Sequence, residues 1–203
     1  SVKAVATDPT GKVLGEVSSA ALTTLAPAPG ASEQNPEQLL AAVGDAITRV
    51  ARLAPNCRVA GIAAAAQSGS LVPIARGGAP TRVITWMDSR SVPVINKWSA
   101  ADRTMIRQRS GWGTSPGLGL STLAWMRDSD PPAFSAAERF ASVDDFVVHH
   151  LTGEFSTNPS NAAGMQLMDV ASSRWSQQLC DFAGVATEQL STIVTTGSNI
   201  API

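Results

Sequence analysis

The chain opens on short extended runs of apolar residues and passes later to helical spacing. Ser1-Val2-Lys3-Ala4-Val5-Ala6-Thr7-Asp8 reads as a strand, Pro9-Thr10-Gly11-Lys12 as a turn and Val13-Leu14-Gly15-Glu16-Val17 as a second strand, which predicts a β-hairpin. A polar Pro/Ala-rich loop, residues 26–35, follows. Asn35-Pro36-Glu37 then carries the marks of a helix start: an N-cap, a proline at the first helical position and an acid in the first turn. Leu39, Leu40, Val43, Ile47 and Val50 recur at helical spacing, so this helix buries one face. Residues 58–65 read as a buried strand of small side chains, expected in one sheet with the hairpin. Leu71-Val72-Pro73-Ile74 and Val83-Ile84-Thr85-Trp86 flank a Gly/Pro turn as paired strands. Further on, the pattern predicts an amphipathic helix over 89–109, a glycine-rich loop over 111–119 and a short helix over 120–127 that ends before Asp130-Pro131-Pro132. A strand over 139–143 and a helix over 144–151 closed by Thr152-Gly153 come next, then a polar loop over 156–163 and two helices over 174–183 and 187–193. Hairpins early and helices in runs later make the fold class mixed α/β.

Composition narrows this picture. The 203 residues include 15 Lys+Arg and 16 Asp+Glu, a formal charge of −1, so no basic field invites nucleic acid or an anionic membrane. With 44% hydrophobic and 15% charged residues the chain has the makings of a packed core and not of a disordered segment. No run reaches the roughly 18–20 apolar residues of a membrane span. The two cysteines, Cys57 and Cys180, are far apart, which excludes a zinc ribbon or a disulfide scaffold and fits a cytoplasmic protein. The chain starts inside a strand without an initiator Met and stops at Ile203 without a closing element, so it reads as a fragment truncated at both ends.

Candidate chemistry is concentrated at two places. Gln67-Ser68-Gly69 follows the small-residue strand. An amide at a strand end can point into a cleft and bond a hydroxyl, or it can simply make a turn. In Trp86-Met87-Asp88-Ser89-Arg90, the Trp offers a flat apolar face for the C–H side of a sugar, and Asp88, on the same side of an extended chain, can accept from hydroxyls. Equally, Trp86 can be core, Asp88 a helix cap and Arg90 its ion-pair partner. His149-His150 point about 100° apart on a helix and do not share a metal ion, for which i,i+4 spacing is needed. Asp144-Asp145 suit a helix N-terminus. The glycine-rich loop has neither GxGxxG nor GxxxxGK[ST], and there is no GxSxG elbow.

Taken in order, several segments resemble the FGGY carbohydrate kinases. They are Val83-Ile84-Thr85-Trp86-Met87-Asp88-Ser89-Arg90, Leu151-Thr152-Gly153-Glu154-Phe155, Asn158-Pro159-Ser160-Asn161-Ala162-Ala163-Gly164, Leu167-Met168-Asp169-Val170 and Arg174-Trp175-Ser176. Pro116-Gly117-Leu118 before Leu123-Ala124-Trp125 is most similar to xylulokinases. The resemblance implies an actin-like, ribonuclease H-like domain with a mixed sheet flanked by helices. Residues 1–203 would be the N-terminal, sugar-binding domain of a kinase that transfers the γ-phosphoryl of Mg-ATP to a hydroxyl of a ketose or polyol. ATP and Mg²⁺ would be bound by the full-length enzyme and not by this chain. The phosphate-loop segment, the base Asp and the C-terminal nucleotide domain would lie outside it, so no catalytic residue and no metal ligand is expected within it. Substrate contacts would fall to Gln67, Ser68, Gly69, Trp86 and Asp88. Where xylulokinases have a ketose-contacting His, this chain has Gly69; where glycerol kinases have a Tyr, it has Gly117. The expected partners are a small sugar or polyol, the C-terminal kinase domain and a second copy in a homodimer formed through the bare interdomain face. The alternative is an actin-like sugar-binding or interaction module without catalysis.

Overall fold

A computed structural model describes residues 1–202 of the protein. The hairpin is β1 (Lys3–Thr7) and β2 (Val13–Ser18), antiparallel, with Lys3 opposite Ser18. Two short strands, β3 (Thr24–Leu25) and β4 (Glu33–Gln34), precede α1 (Pro36–Arg52). Asn35 caps α1, its side chain accepting from the Gln38 N–H, which satisfies one of the unpaired donors of the first turn. Then come β5 (Leu71–Ala75), β6 (Val83–Ile84), α2 (Val92–Asn96), α3 (Ala100–Ser110), α4 (Gly119–Ser129), α5 (Pro131–Ala136), β7 (Ala137–Ser142) and α6 (Val143–Thr152). The chain closes with β8 (Ser156–Thr157), α7 (Pro159–Gly164), β9 (Met168–Asp169), β10 (Arg174–Trp175), α8 (Gln177–Ala183), a 3₁₀ turn (Thr187–Gln189) and β11 (Thr192–Ile193).

The main sheet has five strands in the order β3-β4-β6-β5-β7, every neighbouring pair antiparallel. Successive residues of a strand face opposite sides, and the two faces of this sheet separate accordingly. Leu71, Ile84 and Phe140 pack with Ile106, Leu120, Leu123, Met126 and Leu179 from α3, α4 and α8. Val72, Ile74, Val83 and Ala141 pack with Leu39, Val43, Phe146 and Val147 from α1 and α6. The result is three layers, helices on both faces of an antiparallel sheet. It is an α/β fold in which the sheet expected to be mixed is antiparallel throughout, and the one parallel pair among the described residues, β8 with β11, stands apart.

Four expectations need correction. Residues 58–66 form no strand, and residues 55–66 are all exposed, with Val59 at 63% and Ile62 at 41%. Around those two, the segment is mostly Ala and Gly, which bury little apolar surface. Among the described residues no strand offers it a ladder, so nothing offsets the cost of ordering it. The hairpin consequently stands as its own two-stranded sheet and not in one sheet with this segment. The long helix over 89–109 is two helices. Ser99 caps α3 through a reciprocal capping box with Asp102 and so starts a new helix after Lys97. Near the C-terminus the helices over 174–183 and 187–193 are shorter than expected and share their residues with β10 and β11. There β11 pairs in parallel with β8, inside the stretch expected to be a loop.

Phe140 is 1% exposed and packs 5.2 Å, centroid to centroid, from Phe134. Phe140→Ala is expected to destabilise the protein by about 3–5 kcal/mol, measured by chemical denaturation. The α1 cap, replaced as Asn35→Ala, is expected to cost only about 1 kcal/mol in the same experiment.

Candidate functional site

Three stretches of backbone meet at one end of the sheet because none of them carries a side chain at the point of contact. Gly69, at φ +84°, lies so near the next loop that a Cβ there would be 2.4 Å from the carbonyl oxygen of Gly117. Gly117, at φ +75°, lies so near the strand end that a Cβ would be 1.9 Å from the carbonyl oxygen of Trp86. The end of α7 joins them: Gly164 sits where a Cβ would be 3.1 Å from Ser68 Oγ. The Trp86 N–H donates to the buried Ser70 Oγ at 3.1 Å. Gln67, Ser68, Gly69 and Trp86 are thus brought together, with Gly117 between them. The Trp86 side chain is 53% exposed, an apolar ring left in solvent at the rim of this assembly. Gln67, at the start of the 67–69 turn, is half-buried, and Ser68 is exposed.

Asp88 goes elsewhere. It is 4% exposed. Its Oδ1 accepts from Arg90 N–H at 3.0 Å and Arg90 Nε at 3.1 Å, and its Oδ2 from Ser32 N–H at 2.9 Å and Arg90 Nε at 2.9 Å. With its lone pairs so engaged, it keeps no acceptor for a hydroxyl, and it is not a helix cap either, since the residue before α2 is Ser91. Its expected direct contact with a sugar therefore gives way to a supporting position behind Trp86. Arg90 also binds Glu33, which reaches Arg82, which pairs with Asp130 at 2.6 Å, and the Arg90 guanidinium lies 4.0 Å from the Trp125 ring centroid. Burial works to lower the Arg90 pKa, but the hydrogen bonds and charges of Asp88 and Glu33 prevail and raise it. Arg90 therefore keeps its charge, and the network ties the loop after β6 to α4 and the start of α5.

The remaining polar residues divide between scaffold and site margin. Asp145 closes a capping box with Ser142, and Asn161 Nδ2 lies 2.6 Å from Ser142 Oγ, 2.9 Å from Asp145 Oδ1 and 3.0 Å from Thr157 Oγ1. Burial raises the Asp145 pKa against hydrogen bonds from Thr157, Ser191 and Ser142. Asp144, next to it, is pushed up to about 6, by burial first and by the charge of Asp145 second, against a hydrogen bond from the backbone of Ala66. Its Oδ1 is buried without a partner. That places a carboxyl with a near-neutral pKa one residue from Gln67. The sequence assigned it only to the helix dipole, because nothing in the spacing shows that residue 66 lies against residue 144. His149 stacks on Phe155 with centroids 3.7 Å apart. Burial, with the nearby charges of Asp181 and Glu188, pushes the Cys180 thiol up to about 12, so it is no nucleophile at neutral pH. Among the described residues no group of three His, Cys, Asp or Glu is placed to hold a metal ion, and no helix is long and apolar enough to cross a membrane.

The sequence profile of the FGGY family of carbohydrate kinases, N-terminal domain, matches residues 1–203. The chain belongs to this family. It is 30% identical over 164 residues to a glycerol kinase of Thermococcus kodakarensis, covering 76% of this chain and 33% of that protein. It is 26% identical over 167 residues to a gluconokinase of Bacillus subtilis, covering 81% of this chain and 33% of the other. Among solved structures, the ligand-bound xylulose kinase from Lactobacillus acidophilus superposes with a TM-score of 0.91 at 24% identity, over 98% of this chain and 41% of that one. The chain thus spans a third to two fifths of the length of the proteins it matches, and its fold is that of their actin-like, ribonuclease H-like N-terminal domains.

Gly117→Ala would place a methyl group against the Trp86 carbonyl at a φ that L-residues avoid. It is expected to cost more than about 2 kcal/mol and to shift Trp fluorescence, whereas Gly113→Ala, with open space around it, should leave both unchanged. For Asp144 the folded-state pKa lies above the ordinary 3.8, so the fold binds the proton more tightly than the unfolded chain does. Its contribution is greatest at acid pH and is lost as pH rises through about 6. Asp144→Asn keeps the acceptor for Ala66 and removes the buried charge. Melting curves are expected to show it more stable than the parent near neutral pH, on the order of 1 kcal/mol after solvent screening, with the difference vanishing near pH ~4.

Proposed function

We propose that this chain is the sugar-binding half of an ATP-dependent kinase that phosphorylates a hydroxyl of a ketose or polyol, with a xylulokinase-like site. The observation that carries the reading is the half-exposed Trp86 ring at a rim built from Gln67-Ser68-Gly69 and Gly117. An indole face in water beside an amide and a hydroxyl suits a ligand with C–H bonds on one side and hydroxyls on the other. In this reading Trp86 stacks on the sugar and Gln67 and Ser68 bond its hydroxyls. Gly69 lets the Gly117 loop close on the turn and so fixes where Ser68 and Gln67 stand. Asp88, held by Arg90 and Ser32, fixes the loop that aims Trp86. The relatives act on different substrates by name, glycerol, gluconate and xylulose, which supports a polyhydroxy acceptor without selecting one of them.

We assign ATP and Mg²⁺ to a C-terminal domain of the full-length protein and the base Asp to a segment outside residues 1–203. No step of phosphoryl transfer runs through the residues described above. Their part is to bind and orient the acceptor hydroxyl, which in a reaction governed by in-line positioning contributes directly to rate.

The test is a kinase assay of the full-length protein against ketoses and polyols. Sugar-dependent ADP formation is expected, and binding of a sugar without turnover would instead mark a non-catalytic module. Trp86→Ala is expected to raise the sugar KM by about tenfold, one lost stacking contact, with the ATP KM and the melting temperature unchanged. Asp88→Asn is expected to lower stability by about 3 kcal/mol, as for one partner of a buried ion pair, and to raise the sugar KM through the displaced Trp86. Unchanged sugar kinetics in both variants would refute the site.

A further inference from the structure

We propose that Gln166 is a positioning residue that clamps the loop over 111–118 and so sets the wall of the sugar site; the proposal rests on the reading of that site given above. Gln166 is fully buried. Its backbone is left-handed, at φ +60°, one of only two such non-glycine residues among those described, and the other, Ser173, is exposed. A side chain other than Gly persists in this region only where its surroundings over-determine it. What they determine here is the aim of the amide. Nε2 donates to the carbonyl oxygen of Gly113 at 2.9 Å, with that of Trp112 at 3.4 Å. Oε1 is buried and has no partner. A residue chosen only to fill the core would not leave a carbonyl orphaned there, which is costly; the donor is what the position needs.

The same corner holds the other end of the loop. The carbonyl oxygen of Met165 accepts from the Leu120 N–H at 2.9 Å, and Gly119 approaches it so closely that a Cβ would be 2.7 Å away. Residues 165 and 166 therefore grip the loop at 113 and at 120. Between these points Gly117 rests against the Trp86 carbonyl, and Gly69 against Gly117. These contacts are backbone on backbone, with no side chain to absorb a shift, so a displacement of the loop must move Trp86 or the 67–69 turn. Gln166 thus acts on the sugar site through two contacts, touching no ligand itself.

The experiment replaces Gln166 in the full-length protein. Gln166→Met keeps the length and removes both the donor and the orphaned oxygen, and Gln166→Gly removes the amide while relieving the backbone, so that one variant folds if the other does not. Hydrogen exchange is read at residues 112–118, and the kinetics of both substrates are measured. The expected result is exchange of those amides about tenfold faster, with a sugar KM raised about five- to tenfold and the ATP KM unchanged. Unchanged exchange overturns the clamp whatever the enzyme does, and faster exchange with an unchanged sugar KM overturns the positioning role. Absence of sugar turnover in the parent protein would instead overturn the kinase reading, with the exchange of the loop still deciding the clamp.

Discussion

The site end of this domain depends on one constraint: three loops approach each other main chain to main chain, at distances that leave no room for a Cβ. Gly69 on Gly117 and Gly117 on Trp86 are contacts in which neither partner can yield. Side-chain packing tolerates exchange of similar volumes, but a backbone contact tolerates nothing larger than hydrogen. The position of Trp86 is for this reason a property of the loops and of whatever anchors them. The anchors lie outside the rim: Ser70 under the Trp86 amide, Met165 and Gln166 at both ends of the glycine-rich loop, and Asp88 behind the turn.

Around that contact the molecule separates its polar groups by role. The series Asp130, Arg82, Glu33, Arg90 and Asp88 runs between the sheet and α4, with Trp125 beneath two of the guanidinium groups. A partly buried chain of alternating charges is a weak source of net stability, but each member satisfies its neighbour, and removal of one leaves another uncompensated. A second buried cluster, Ser142, Asp145, Thr157 and Asn161, joins β7, α6, β8 and α7 in the same way. Each cluster includes residues of the motifs that resemble the FGGY kinases, Asp88 and Arg90 in the first and Asn161 in the second. Asp88, Arg90 and Asn161 of those motifs are therefore engaged in scaffold contacts, whereas the Trp86 ring stays in solvent.

The elements that were legible in the sequence are those whose signals are local. Asn35-Pro36-Glu37 starts α1 because the cap, the ring and the acid each act within one turn. Thr152-Gly153 ends α6 because Gly153 takes the left-handed backbone at φ +80°. Residues 58–65 read as a strand and form none because strand formation depends on a partner, and neither alternation nor propensity supplies one. The helix over 89–109 was misread because apolar spacing continued across Ser99, whose capping box with Asp102 decided otherwise.

For the site, sequence by itself determined the residue types and, through the ordered motifs, the family. Trp86, Gln67, Ser68 and Gly69 stand out in the sequence because an indole followed by Asp and Arg, and a polar turn after small residues, are unusual enough to notice. The tertiary structure alone decided which of them stay in solvent. It turned Asp88 inward, because Ser32 and Arg90, 56 and 2 residues away, offer its oxygens donors that a ligand would otherwise supply. It set Asp144 against Ala66 and Gln166 against Gly113 across separations of 78 and 53 residues, which no spacing rule connects. Local chemistry is written in neighbouring letters. The environment of a carboxylate or an amide is set by whatever the fold packs against it, and that is a property of the whole chain.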